Sequence, residues 1–163
     1  MPEAPLQLTV SLPGQKEVSV ALSRFNEKIS DWTHYWNDWL KPAWFRHITT
    51  QYETQGASTG NQWPALTPRY AAWKNKHWPG LPTGVLSGAT RESLTFPDDP
   101  LGIWEATPTS LTVGTRVPYA IYLQTGTPKM KARPPLRVTQ DFVVLMARLL
   151  QQFGVKEAKA AGL

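Results

Sequence analysis

Three observations predict an α+β fold. A long amphipathic stripe lies near the N-terminus, a second lies near the C-terminus, and short segments broken by Gly and Pro fill the space between. The expected architecture is a small antiparallel or mixed sheet packed against a long N-terminal amphipathic helix and a C-terminal helix. One domain is expected over residues 1–155, followed by a flexible C-terminal tail at 156–163 (KEAKAAGL over its length).

The elements follow in chain order. Leu6, Leu8, Val10 and Leu12 alternate with Gln7, Thr9 and Ser11, the period of a strand, and Pro13-Gly14 stops it. Val18, Leu22, Phe25, Ile29, Trp32, Trp36 and Trp39 then step by four and three, with polar residues between them. This spacing predicts one helix of about 23 residues, roughly 35 Å long. A coiled-coil seam has the same spacing, but three indoles fit knobs-into-holes packing poorly, and a helix laid across a sheet is the better picture. Lys41-Pro42 is expected to end or kink the helix, with a second piece over residues 42–52.

Residues 55–62 (QGASTGNQ) read as a mobile loop, and Thr67-Pro68 as a helix start with a hydroxyl cap and proline at the first position. A short helix is expected over 87–94. Residues 103–106 and 110–113 read as two strands joined through Thr107-Pro108-Thr109, and 119–124 as a helical turn. Phe142, Leu145, Leu149 and Phe153 mark the last helix over 141–153.

Composition narrows the function. Seventeen Lys and Arg against twelve Asp and Glu give a net charge of +5, compatible with an acidic partner without requiring nucleic acid. With no cysteine, disulfides and thiolate metal sites are excluded, and a reducing compartment is the simplest expectation. MPEAPLQLTV has no basic and then apolar leader pattern, and the apolar run at 142–147 is far short of the roughly 20 residues that a membrane helix needs. A soluble protein made in the cytoplasm, with no membrane partner, is expected.

Catalysis finds little support. Gly84-Val85-Leu86-Ser87-Gly88 places its serine one position late for a nucleophile elbow. His34, His47 and His77 are scattered, with no HExxH spacing, and Asp98-Asp99 between two prolines suits a solvated turn. No glycine-rich phosphate loop is present. The sequence therefore predicts no enzyme activity, catalytic residue, cofactor or metal. The basic cluster Lys129, Lys131, Arg133 and Arg137 alternates with Pro128, Pro134 and Pro135, and stiff charged chain of this kind loses little entropy on docking.

Four segments carry a family resemblance. Residues 63–74 (WPALTPRYAAWK), 86–94 (LSGATRESL), 117–127 (VPYAIYLQTGT) and 130–136 (MKARPPL) occur in an order that resembles the virion-morphogenesis or tail-completion proteins of tailed bacteriophages. The resemblance spans about residues 63–153. Leu123 stands where that family usually has histidine, Lys131 where it has the first proline, Pro135 where it has an aromatic and Thr90 where it has leucine.

The resemblance implies a structural virion protein that completes or terminates the tail and joins it to the head–neck connector. It implies a homo-oligomeric ring, a hexamer matching the tail's symmetry, contacting neck, connector and tail-tube proteins. Phage DNA would pass through its channel without sequence-specific binding, and the protein would sit in the virion after assembly in the host cytoplasm. In that picture Gln124, Lys129, Lys131, Arg133, Pro134, Pro135 and Arg137 form an exposed arm at the subunit or partner interface. The alternative is a non-specific nucleic-acid-binding protein. Its tryptophans, with Trp63, Trp73 and Trp78 near Lys74 and Lys76, would stack on bases beside phosphate contacts.

Overall fold

A computed structural model describes residues 15–163; the strand expected at residues 6–12 lies outside them. Among the described residues the architecture is α+β, with six α-helices and one two-stranded antiparallel sheet. The helices are α1 (Gln15–Ser30), α2 (Lys41–Glu53), α3 (Pro68–His77), α4 (Ala89–Thr95), α5 (Ala120–Thr125) and α6 (Gln140–Ala161). The strands β1 (Gly102–Ala106) and β2 (Leu111–Thr115) lie between α4 and α5.

The N-terminal stripe does not form one helix. It breaks at Asp31-Trp32, where the Asp31 carboxylate accepts the Thr33 N–H at 2.8 Å and the Trp32 N–H donates to the Pro108 carbonyl at 3.0 Å. Hydrogen bonds from Thr33, first its side chain and then its backbone, hold the Asp31 carboxyl below its ordinary pKa. Only the later indoles face the core. Trp32, Trp36 and Trp39 pack against it, whereas Val18 is 54% exposed and Leu22 is 52% exposed.

Pro42 does not end the next helix either. A π-helical segment, Tyr35–Leu40, leads directly into α2, and the Lys41 N–H reaches back five residues to the Trp36 carbonyl. The wider π turn accommodates a residue that lacks an N–H and crowds the preceding turn. With the backbone so threaded, Tyr35, Leu40, Trp44, Ile48 and Tyr52 all reach the core.

The hairpin lies against this helix. Trp104 pairs with Val113 and Ala106 with Leu111 across the sheet. The Trp104 indole N–H donates to Asn37 Oδ1 at 2.8 Å, and the Trp36 indole N–H donates to the Thr107 carbonyl at 3.1 Å. From the other side α6 adds Phe142 and Phe153, and the Tyr35 hydroxyl donates to the Met146 carbonyl at 2.9 Å. Thr139 caps α6 through a hydrogen bond from the Phe142 N–H at 3.2 Å. The helix runs past its expected end at residue 153 and stays helical through Ala161, which is buried. Lys, Glu and Ala in that stretch are good helix formers, and Gly162 in the left-handed region closes it.

Residues 55–62, expected as a mobile loop, form a compact hydrogen-bonded turn. Gly56 N–H donates to the Gln51 carbonyl at 2.8 Å and Trp63 N–H to the Gln55 carbonyl at 2.8 Å, which seats the Trp63 ring edge-on against Tyr52. No helix among the described residues is long and apolar enough to cross a membrane.

Candidate functional site

The four segments singled out in the sequence meet in one place. Arg133, in MKARPPL, is 5% exposed. Its Nε donates to the Pro64 carbonyl at 2.8 Å and its Nη2 to the Ala65 carbonyl at 3.0 Å, both in WPALTPRYAAWK. Ser87, in LSGATRESL, shares a 3.0 Å hydrogen bond with the Tyr119 hydroxyl, in VPYAIYLQTGT. Gln124 and Leu136 bond reciprocally, at 3.0 and 3.1 Å, and the Arg133 N–H donates to the Leu123 carbonyl at 2.8 Å. Each segment is therefore tied to another by hydrogen bonds.

These ties correct the expected arm. Pro135 is fully buried, Arg133 nearly so, and the Gln124 amide is spent on the backbone of Leu136. The carbonyl of Arg137 is held at 2.6 Å by the Gln51 amide and lies 2.8 Å from His47 Nε2, although its side chain is exposed. Pro134 is half-buried, and only Lys129, Lys131 and the Arg137 side chain face solvent. The reason is local. A residue before proline is held extended, so Arg133 reaches across to two carbonyls that have no helix or sheet partner of their own. His47, stacked on Phe142 at 4.3 Å, acts in packing.

Gly126 makes the bend that returns this segment. Its φ is +77°, and a Cβ there would lie 2.8 Å from the Ala132 nitrogen and 2.9 Å from the Met130 carbonyl oxygen. Beyond it, Thr127 and Met130 exchange backbone hydrogen bonds at 2.8 and 3.0 Å, presenting Pro128 and Lys129 at the tip.

Between these segments lies a cleft of about 1160 Å³. Its walls combine aliphatic side chains (Leu66, Val85, Leu86, Leu123, Met130) with Tyr70, Tyr119 and Tyr122. Five cations line it, Lys74, Arg91, Lys129, Lys131 and Arg133, and no carboxylate does. Lys74 is buried and donates to the Pro82 carbonyl at 2.6 Å. Burial, and then the nearby Arg133 charge, push the Lys74 pKa down. Burial acts on Arg133 in the same direction, although a guanidinium stays charged. Among the described residues neither forms an ion pair. Thr90, in the wall, is buried with its hydroxyl oxygen unpaired.

Sequence reasoning did not find Lys74, Thr90 or Arg91 as parts of one site. They stand on different segments, and only the fold sums their chemistry. Of the three tryptophans considered for base stacking, Trp63 is core. Trp73 and Trp78 are exposed, 5.2 Å apart, with Tyr70 stacked on Trp73 at 5.4 Å.

Comparison with protein-family models, with curated proteins and with solved structures finds no match. Among the described residues, no three His, Asp or Glu side chains gather as a metal-binding group. The cleft presents a concave, positively charged, partly aliphatic surface.

Proposed function

We propose that this protein is a structural subunit of a tailed-phage virion that completes the tail and joins it to the neck, acting as a homo-oligomeric ring. The observation that carries the reading is the convergence of the four resembling segments. MKARPPL holds WPALTPRYAAWK through Arg133, LSGATRESL holds VPYAIYLQTGT through Ser87 and Tyr119, and Gln124 closes the set on Leu136. Residues that resemble a family in linear order thus also form one connected unit, as a shared fold requires.

A second feature supports an assembly role. Helices α1 and α6 pack together yet leave Val18, Val20 and Leu22 on one, and Val143, Val144 and Val155 on the other, exposed. These apolar side chains are available for contact with another protein, and a head-to-tail contact that closes on itself gives a ring. The decisive experiment deletes the reading frame from a phage that carries it. Separate filled heads and tails, rejoined when the chain is supplied in trans, are expected; intact infectious particles without the chain would overturn the reading.

The exposed Tyr70, Trp73 and Trp78 cluster favours the second reading, non-specific binding of single-stranded nucleic acid. That reading predicts affinity for an oligonucleotide that falls steeply with salt and is lost in Trp73→Ala.

A further inference from the structure

We propose that the cleft between α3, α4 and the Gln124–Leu136 bend is a docking groove for an extended acidic peptide segment of a partner protein. The proposal stands on the chemistry of the cleft and not on the tail-completion reading. Charge is the first argument. Five cations and no carboxylate line the walls; Arg91 is paired with Glu92 at 3.8 Å, but the other four have no ion-pair partner among the described residues, so an occupant with negative charge is the one that complements them. Buried charges are ordinarily paired, yet Lys74 and Arg133 have only carbonyl partners. A carboxylate entering the cleft would supply the missing charge and favour the protonated form of Lys74.

Size and lining choose the class of anion. At about 1160 Å³ the cleft exceeds the roughly 300–1,000 Å³ typical of small-molecule sites. The aliphatic walls suit leucine- or phenylalanine-like side chains placed between acidic ones. Nucleic-acid bases call for several open aromatic faces, but Trp73 and Trp78 lie outside the cleft, Tyr70 is already stacked on Trp73 and the Tyr119 hydroxyl is held by Ser87, which leaves Tyr122 as the one uncommitted ring in the walls. Lys129 and Lys131, exposed at the tip of the bend, would steer the segment in and hold its acidic ends.

The test is fluorescence anisotropy of the full chain with a labelled peptide that alternates aspartate with leucine and phenylalanine. A matched peptide with lysine for aspartate and an oligo-deoxythymidine are compared. Saturable binding of the acidic peptide alone is expected. It should weaken about tenfold or more in Lys129→Ala/Lys131→Ala, whose side chains are exposed and whose loss should leave the fold intact. Lys74→Met should weaken binding similarly, and Arg148→Ala, on α6 away from the cleft, should not. The proposal is overturned by three results: no saturable binding of the acidic peptide, binding that the double variant leaves unchanged, or oligonucleotide binding tighter than the peptide's through the same lysines.

Discussion

Gln124 and Leu136 are joined twice: the side-chain amide donates to the Leu136 carbonyl at 3.0 Å, and the Leu136 N–H donates to the amide oxygen at 3.1 Å. One side chain thus completes the backbone hydrogen bonding of a residue that follows two prolines and has no sheet neighbour. Gln124→Leu, similar in volume, leaves both Leu136 groups unpaired and should lower stability by about 2 kcal/mol. Urea denaturation measures it; a change under about 0.5 kcal/mol would show that water replaces the pair.

Arg133 and its basic neighbours should separate cleanly. Arg133→Ala frees two carbonyls and removes a buried fork, so a loss of about 3 kcal/mol is expected. Arg133→Lys should recover only part of it, because an ammonium cannot bond Pro64 and Ala65 with the same planar geometry. Lys129→Ala and Lys131→Ala, both exposed, should each fall within about 0.5 kcal/mol of the unsubstituted protein. Equal effects at all three positions would contradict the inward placement of Arg133.

Gly126 tolerates no side chain. A Cβ would meet the backbone of Ala132 and Met130 on a residue whose φ is +77°. Gly126→Ala should cost about 2–3 kcal/mol, read as a lower denaturation midpoint with an unchanged urea dependence.

Lys74 makes stability depend on pH in a definite sense. Its folded pKa is depressed, first by burial and then by Arg133, so the folded state gives up this proton more easily than the unfolded chain. Between the depressed value and the ordinary lysine value the unfolded state binds more protons, and stability from this group rises with pH. Below that window the charged, buried lysine opposes folding fully. Lys74→Met removes the effect. The stability of the unsubstituted protein relative to Lys74→Met should therefore climb as pH rises through the alkaline range. Parallel profiles for the two proteins would refute it.

Much of the fold was legible in the sequence. Helix periodicity located α6, Thr67-Pro68 marked the start of α3 although the Thr67 hydroxyl makes no capping hydrogen bond, and the turn at Thr107-Pro108-Thr109 gave the hairpin. What escaped depended on distant partners. The break at Asp31-Trp32 needs the Pro108 carbonyl, which no local pattern announces. The passage of Pro42 through a continuing helix needs a π turn, a backbone adjustment that side-chain spacing does not encode. Arg133 reads as part of an exposed arm because its two carbonyl partners lie 68 and 69 residues away. The cleft escaped for the same reason, since no segment carries more than two of its cations.

The central claim is assembly into a ring, and light scattering coupled to size exclusion tests it most directly. The 18.3 kDa chain should elute, without nucleic acid, as one discrete species of several subunits, six on the tail-symmetry reading, and Val143→Asp/Val144→Asp should shift it toward the monomer. A strict monomer at high concentration, with an elution profile that those substitutions leave unchanged, would contradict the account.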